Sequence, residues 1–361
     1  MSKARELAEL GAAYDSGALS NRNVIINGAM QVAQRGTSST GLGAASGYYT
    51  VDRYNLVVGN TAGRLTMSQD SSAPSGFANS LKLDCTTADT SIAADEFLIM
   101  RHTIEAQNCQ QFAKGTSDAK QFALSFYVKG NASATYVAEL VGDDVSRQIS
   151  QTFSVTTDWT RVKIIFPADT TGAINDDNGA GLYLNIWLHA GSDFTGGSLS
   201  TTWSSITQAN RAVGISSFFD STDRTFFLTG VQLEVGDTAT DFEHRSFGDE
   251  LARCQRYCIV LTGTAYQAYG YVGFNESTTT SKLIYNMPTT MRAAPTGSTS
   301  GSFSLDGATT NPTTSGTFAS FSNSTHMSRM EATVSSATKG EGVLIINNND
   351  ADATITLDAE L

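Results

Sequence analysis

Proline and charged side chains are scarce in this sequence of 361 residues. It has only 5 prolines against 32 glycines. Asp, Glu, Lys and Arg make up 16% of the residues, where about a quarter is usual in soluble proteins. Apolar residues reach 40%, which is enough for hydrophobic cores and excludes wholesale disorder. This composition, with its many Ser and Thr residues, predicts short strands whose outer faces carry hydroxyls and amides.

Cysteine is also rare, since the 4 cysteines are too few for a disulfide framework. Cys254 and Cys258 are spaced to lie on one face of a predicted helix together with Leu251. No histidine or further cysteine stands beside them at ligand spacing, so the pair does not indicate a zinc site. We interpret them as buried, unpaired thiols, which behave as small hydrophobic side chains.

A basic surplus is missing as well. The sequence has 23 Lys and Arg against 35 Asp and Glu, a formal net charge of −12. Proteins that bind nucleic acid or anionic lipid normally present a basic surface, so we expect neither as a partner. No apolar run is long enough to insert into a membrane, and Glu6 and Glu9 interrupt the apolar core that a signal peptide needs. We therefore expect synthesis in a cytoplasm.

Recognisable catalytic motifs are absent from the sequence. It contains no G-x-S-x-G, H-E-x-x-H, Walker or G-x-G-x-x-G motif. Its histidines are scattered along the chain at His102, His189, His244 and His326. We predict that the protein is not an enzyme and needs no cofactor. A pair of carboxylates for glycoside cleavage is the alternative, because any two acidic residues can meet in space.

A two-residue alternation of apolar and polar residues runs through most of the chain. It predicts strands in NVIING, YYTVDRYNLVV, SLKLDC, QFALSFYVKG, TRVKIIF, GLYLNIWLHAG and TFFLTGVQLEVG, separated by turns rich in Gly, Asp, Asn and Ser. This pattern is typical of an all-β protein. We predict that residues 21–247 form a β-sandwich rather than a fold of βαβ units.

Helical segments flank this predicted sandwich. Residues 1–20 predict a short helical arm with Leu7 and Leu10 on its apolar stripe, which is either a frayed terminus or a docking and oligomerisation segment. GDELARCQRYC predicts a second helix, whose stripe includes Leu251 and needs a partner surface. Residues 248–361 comprise this helix and a smaller β domain, with a strand in KLIYNMP and a hairpin around residues 347–352. GSTSGSFSLDGATTNPTTSG is predicted as surface loops.

Several segments together carry a resemblance to a known family. They are NRNVIINGAMQVAQRGTS, YTVDRYNL, QFALSFYVKG, DWTRVKIIFPAD, NMPTTMRAAPT, TITLDAEL and, most specifically, GVQLEVGDTATDFEHRSFGDELARCQRYC. The sequence resembles tail-fibre-like virion proteins of tailed bacteriophages, of the type common in marine phages. These proteins have a jelly roll similar to carbohydrate-binding modules.

The resemblance implies a fold and a function. The expected fold is a jelly-roll β-sandwich, then a short helix and a second, smaller β domain. The expected function is that of a homotrimeric, non-enzymatic virion protein that contacts host surface glycans and, through its N-terminal arm, other virion proteins. One alternative is a purely architectural head decoration or tail adaptor. A polysaccharide depolymerase is a further alternative.

The strand GLYLNIWLHAG supplies the candidate glycan site. The side chains on its polar face are Tyr183, Asn185, Trp187 and His189. Sugars stack on aromatic rings and form hydrogen bonds with amides and imidazoles. Gln232 and Glu234 join this site if their strand lies alongside, and Trp203 is a second stacking candidate on a loop. The alternative is that a loop or subunit covers this face, because large aromatic residues are usually packed.

The loop ADTTGAINDDNGAG supplies a candidate cation site. Its oxygen donors are Asp169, Asp176, Asp177 and Asn178. Ca²⁺ prefers several such oxygens, and the resemblance to jelly-roll binding modules implies a structural calcium. The spacing is not that of an EF-hand, and Asp, Asn and Gly also cluster in ordinary tight turns. Both interpretations are open at this point.

Overall fold

A computed structural model describes residues 2–5, 21–307 and 318–361. The chain divides into two compact units, Met1–Glu250 and Leu251–Leu361. The predicted boundary was at residues 247 and 248. Leu7 and Leu10 of the predicted arm lie outside the described residues. Among the helices of the described residues, none has the length and hydropathy needed to cross a membrane.

In its described part, the first unit contains two antiparallel sheets. The six-stranded sheet has the order β1 (Ser38–Leu42), β4 (Arg64–Asp70), β5 (Ser80–Thr87), β13 (Thr225–Val235), β7 (Phe122–Gly130), β10 (Thr160–Phe166). The seven-stranded sheet has the order β12 (Ser204–Ser205), β9 (Arg147–Val155), β8 (Ala134–Gly142), β11 (Ala180–Ala190), β6 (Phe97–Glu105), β3 (Tyr54–Gly59), β2 (Gly47–Tyr48).

Alternate residues of both sheets form one core. Phe122, Leu124 and Phe126 from β7 share this core with Leu184 and Ile186 from β11, and all five are buried. The chain crosses between the sheets repeatedly, for example from β5 to β6 and from β10 to β11. Such a double sheet with crossing connections is a jelly roll. The prediction of an all-β, jelly-roll sandwich is confirmed.

The segment NVIING, by contrast, was wrongly predicted to be a strand. It runs beside β13, and the backbone N of Val24 donates to Leu233 O at 3.0 Å. The side chain of Asn23 takes the place of further ladder bonds, since its Nδ2 donates to Val231 O at 3.1 Å and its Oδ1 accepts from Leu233 N at 3.1 Å. Asn27 then adopts a left-handed φ of 59°, which ends the extended conformation.

The second unit, as far as it is described, also contains two antiparallel sheets. The three-stranded sheet has the order β14 (Cys258–Thr262), β22 (Thr354–Asp358), β17 (Thr296–Ser300). The six-stranded sheet has the order β18 (Phe303–Gly307), β21 (Gly342–Asn347), β15 (Ala268–Asn275), β16 (Thr280–Asn286), β20 (Met327–Thr333), β19 (Phe318–Asn323).

Two predictions for this unit were wrong. β21 and β22 do not form a hairpin, because they belong to different sheets. The stretch from residue 297 to residue 307, predicted as loops, contains β18 and most of β17. β17 has no large apolar side chain, and its pairing with β22 from Thr296 to Ser300 makes it a strand. Pairing with strands that are distant in the sequence therefore determines both the sheet that β22 enters and the strand conformation of β17.

Short helices connect the strands. A one-turn helix spans Ser192–Thr195, and 3₁₀ helices span Ala106–Phe112, Gln208–Asn210 and Phe218–Asp220. The predicted second helix is Phe247–Gln255. It begins after Ser246, whose Oγ accepts from Asp249 N at 3.2 Å and donates to Asp249 Oδ2 at 2.7 Å. The predicted burial of Cys254 and Cys258 is confirmed, but the prediction that they share a helix face with Leu251 was wrong. The helix ends at Gln255, Cys258 lies in β14, and Leu251 is partly exposed.

Candidate functional site

A row of polar side chains crosses the outer face of the seven-stranded sheet. Strand register places these residues side by side: Tyr48, Asn55, Arg101, Asn185 and Glu139. Arg101 Nε donates to Asn185 Oδ1 at 2.8 Å, and Asn185 Nδ2 donates to Glu139 Oε2 at 2.9 Å. The middle of the row is therefore a hydrogen-bonded network laid across β6, β11 and β8.

The Glu139 side of this face is covered by residues 191–224, which we call the covering segment. Arg211 in this segment donates from Nε to Glu139 Oε1 at 2.8 Å and from Nη2 to Glu139 Oε2 at 2.9 Å. The same carboxylate accepts from Trp187 Nε1 at 2.8 Å. The Arg211 guanidinium lies over the Trp187 ring at 4.9 Å, and Phe194 packs against that ring with centroids 5.3 Å apart. Trp187 is only 1% exposed, so its ring is packed.

The other side of the face, on β2, β6 and β11, is partly open. Tyr48, Arg101 and Tyr183 are each partly exposed, and we call them the tyrosine–arginine patch. The Arg101 guanidinium lies 4.4 Å from the centre of the Tyr183 ring. Arg35 lies over the Tyr48 ring at 5.3 Å. The patch thus offers two phenol rings beside a planar cation.

Burial governs the protonation of this patch. Burial, assisted by Asp143, raises the pKa of Tyr183 to about 12, so the phenol is neutral at physiological pH. Burial also lowers the pKa of Arg101, which the neighbouring Tyr183 partly opposes. A guanidinium is nevertheless charged in proteins. The patch therefore presents neutral rings and a hydrogen-bond-donating cation.

Two buried oxygens beside the patch have no hydrogen-bond partner among the described residues. They are Asn55 Oδ1, which lies between Tyr48 and Arg101 in the row, and Thr103 Oγ1, whose residue is opposite Tyr183 in the strand register. Buried polar atoms are normally hydrogen-bonded. Both atoms are buried, and Thr103 is only 1% exposed, so they lie beneath the surface of the patch.

The structure separates the predicted glycan-binding residues. Tyr183, Asn185, Trp187 and His189 do share one face of β11, with Leu184 and Ile186 on the core side. Asn185, Trp187 and His189 are buried, however, and only Tyr183 is partly exposed. Coverage of the face by a loop, which the sequence left open as the alternative, therefore holds for three of these four residues.

Gln232 and Glu234 do not join this face. They are buried on β13 in the six-stranded sheet, whereas the neighbours of β11 are β6 and β8. Gln232 Nε2 donates to Glu234 Oε1 at 2.9 Å, and Glu234 also accepts from Thr240 N at 2.8 Å. The prediction that they extend the glycan site was wrong, because the two strands belong to different sheets.

Trp203, the second stacking candidate, is partly exposed but held in place. Its Nε1 donates to Pro167 O at 2.8 Å, and its ring packs against Phe122 with centroids 5.7 Å apart. The Lys114 ammonium lies over the ring at 5.1 Å. These contacts fit a residue that closes the edge of the core.

The predicted calcium ligands do not converge. Asp169 is buried and accepts from Arg147 Nε at 2.8 Å and from Arg147 Nη2 at 2.9 Å, and Lys114 Nζ lies 3.0 Å from its Oδ2. Asp176, Asp177 and Asn178 are exposed, and Asp177 Oδ1 accepts from Gly179 N within the turn. In the described part of the chain, the three aspartates do not bring their oxygens together. The three aspartates therefore do not form the predicted site, and Arg147 and Lys114 already neutralise Asp169.

Sequence reasoning missed Tyr48, Asn55 and Arg101. A signal for Arg101 was present, because this charged residue directly follows the apolar run FLIM within β6. Asn55 and Tyr48 carried no such signal, since their position depends on the pairing of β2 with β3 and of β3 with β6.

Comparisons with known proteins give similarities in fold. No protein-family model matches the chain, and no curated protein matches it. Among solved structures, a CBM4 protein is 10% identical, with a TM-score of 0.31, over 59% of this chain and 99% of that chain. The enzymatically active domain of tailspike protein 4 from bacteriophage CBA120 is 13% identical, with a TM-score of 0.32, over 60% of this chain and 22% of that chain.

A third similar structure is the family 11 carbohydrate-binding module from Clostridium thermocellum. It is 10% identical, with a TM-score of 0.27, over 58% of this chain and 98% of that chain. At these identities and TM-scores, the similarities carry no argument about ligand or activity.

Proposed function

We propose that this protein is a non-enzymatic structural protein of a phage particle, in a tail fibre or related appendage. Its jelly-roll unit binds host surface glycans through the tyrosine–arginine patch. The observation that carries the proposal is the partly exposed pair of rings of Tyr48 and Tyr183, with the Arg101 guanidinium 4.4 Å from the centre of the Tyr183 ring.

The chemistry of the patch suits a sugar. The C–H face of a pyranose packs on the exposed part of the Tyr48 and Tyr183 rings. The Arg101 guanidinium donates hydrogen bonds to the hydroxyl oxygens of the sugar. Aromatic surface with a few fixed polar groups is the usual composition of a small-molecule site.

We also propose that the protein binds the glycan without cleaving it, because the carboxylate in the polar row is already engaged by other side chains. Glu139, the acid in the polar row, is 0% exposed and accepts hydrogen bonds from Arg211, Trp187 and Asn185. A carboxylate held by three donors supports the sheet and is poorly placed to transfer a proton to a sugar.

Assembly and location complete the proposal. We expect a homotrimer in the virion, with Leu7, Leu10 and Leu251 contributing to docking or self-association, and other virion proteins as partners of the N-terminal arm. Several weak glycan sites held on one particle bind more tightly than one site alone. Neither nucleic acid nor membrane insertion is part of this function, and no cofactor is needed for it.

A glycan array probed with the full-length chain tests the proposal. We expect binding to one class of surface glycan, and a loss of at least about ten-fold in affinity in Tyr183→Ala and Arg101→Ala. Arg101→Lys should also bind weakly, because lysine keeps the charge but cannot stack as a plane. Native mass spectrometry of the same sample measures the oligomeric state.

Tyr127→Ala is the matched control. Tyr127 is partly exposed on the six-stranded sheet and has Arg161 over its ring at 5.8 Å, so it repeats the same chemistry away from the patch. Unchanged binding in this control, with weak binding in Tyr183→Ala, supports the patch. If the intact oligomer binds no glycan, an architectural role replaces the proposal. Release of oligosaccharides from host polysaccharide would establish a depolymerase instead.

A further inference from the structure

Three buried side chains with metal-binding atoms converge in the first unit. Asp89 follows β5, Glu96 precedes β6, and His189 lies near the end of β11. Their ligand atoms all lie within 4.8 Å of one another, the one such group of three among the described residues. His189 is 0% exposed, Glu96 5% and Asp89 6%. Residues from three distant parts of the chain thus bring an imidazole and two carboxylates together.

Lysine and arginine do not balance the charges of this cluster in the described part of the chain. None of them forms an ion pair with Asp89 or Glu96 there, and the nitrogen near Glu96 Oε2 is His189 Nε2, at 3.3 Å. Asp89 Oδ2 accepts from Thr61 Oγ1 at 2.9 Å and from Ala62 N at 2.8 Å. Two buried carboxylates without a full counter-charge are costly, and a divalent cation would remove that cost.

Contacts with Ser217 and Phe219 fix the orientation of the His189 imidazole. His189 Nδ1 lies 2.8 Å from Ser217 Oγ, and Ser217 Oγ also accepts from Phe219 N at 3.0 Å. The Phe219 ring packs edge-on against the imidazole, with centroids 5.3 Å apart. Nε2 is thereby directed at the carboxylates. Metal-binding histidines commonly have their second ring nitrogen hydrogen-bonded in this way.

We propose that Asp89, Glu96 and His189 bind one divalent transition-metal ion, with zinc as the best fit. An imidazole nitrogen with two carboxylate oxygens suits Zn²⁺, whereas Ca²⁺ and Mg²⁺ prefer oxygen ligands throughout. Three protein ligands leave the fourth tetrahedral position to water. The ion would join the segment after β5, the start of β6 and the end of β11. This site is separate from the tyrosine–arginine patch and does not depend on glycan binding.

Metal titration of the full-length chain tests the site. After dialysis against a chelator, the protein is titrated with ZnCl₂, MnCl₂ and CaCl₂ by calorimetry, and with CoCl₂ by visible absorption. We expect one zinc ion per chain, weaker Mn²⁺ binding, no Ca²⁺ binding at this site, and a Co²⁺ spectrum of four-coordinate type. Thermal unfolding followed by tryptophan fluorescence should shift to higher temperature with zinc.

Glu96→Gln and Asp89→Asn keep the shape of the ligands and remove the charge, so zinc affinity should fall more than about 100-fold in each. Ser217→Ala leaves all three ligands in place and should weaken zinc about 10–100-fold. The control is Asp176→Asn with Asp177→Asn, in the exposed turn, which should leave the affinity unchanged. If wild-type protein binds no zinc, or if all these variants bind it as wild type does, the proposal is wrong. Should Glu96→Gln fail to fold, the wild-type Co²⁺ spectrum and Ser217→Ala decide the question.

Discussion

Arg211 and Glu139 form an ion pair with two parallel hydrogen bonds, from Nε to Oε1 at 2.8 Å and from Nη2 to Oε2 at 2.9 Å. Glu139 is on β8 and is 0% exposed, whereas Arg211 is in the covering segment. The pair therefore fixes an irregular segment onto a regular sheet. Because Glu139 also accepts from Trp187, the pair positions the covered aromatic residue as well.

Arg211→Ala should destabilise the first unit by about 3–5 kcal/mol, because it leaves the carboxylate of Glu139 buried without its cation. Urea unfolding followed by tryptophan fluorescence measures this, since Trp159, Trp187 and Trp203 all lie in the first unit. Asp241→Asn is the control, because the Asp241 side chain is fully exposed beside Arg161. A loss for Arg211→Ala no larger than the loss for Asp241→Asn would contradict this account.

His102 should make the first unit less stable in acid. Burial, followed by the charge of Arg53, lowers the pKa of His102 to about 3, whereas an unfolded histidine has a pKa of about 6.5. Between these values the unfolded chain binds a proton that the folded chain does not. The contribution of His102 is therefore complete above about pH 6.5 and is lost as the pH falls towards 3, by up to about 1.4 kcal/mol per pH unit.

Urea midpoints of the wild type and of His102→Gln, measured from pH 7 to pH 4 by tryptophan fluorescence, test this sign. The variant should show the shallower dependence on pH. Tyr54→Phe is the control, because Tyr54 packs edge-on against His102 with centroids 5.3 Å apart and its replacement removes no imidazole. Equal slopes in His102→Gln and wild type would refute the prediction.

Gly28→Ala should destabilise the first unit although the change adds a single methyl group. A Cβ at this position would lie 2.1 Å from the carbonyl oxygen of Val231, and Gly28 O accepts from Val231 N at 2.9 Å. The backbone has to move apart, which costs about 1–3 kcal/mol in typical overpacked sites. Gly248→Ala is the control, because no described atom outside its chain neighbours and its own helix backbone lies within 4 Å of the added Cβ, and alanine favours the helix. Urea unfolding should show a loss in the first variant and no loss in the second.

Much of the fold was predictable because β periodicity is a local property. In β7, β10, β11 and β13, each apolar residue is followed by a residue that points to the opposite face, and this alternation survives any choice of partner strand. Helical spacing accounts for the burial of Cys254 alone, because Cys258 lies in β14 beyond the end of the helix. The predicted hairpin at residues 347–352 failed because a turn signal shows where the chain reverses without showing which sheet the next strand enters.

The candidate site was predictable only in part. Tyr183 could be placed on the polar face of β11 by counting residues, but its neighbours Arg101 and Tyr48 come from strands 82 and 135 residues away in the chain, by subtraction of the residue numbers. Asp169 is a second case in which distant residues decided the outcome. Its oxygens suggested a site for a metal cation, but the positive charge beside them comes from Lys114 and Arg147, which lie elsewhere in the chain.

Composition and period-two patterning by themselves determined the all-β class, the sandwich and the inward face of each main strand, because these depend on where a side chain points along its own strand. The tertiary structure alone decided which strands are neighbours, and hence that Gln232 lies away from Tyr183, that the covering segment buries Trp187, and that Asp89, Glu96 and His189 meet. These features could not be predicted because they depend on pairing between distant strands. The energy of that pairing comes from the whole sheet, so no single segment of the sequence determines it.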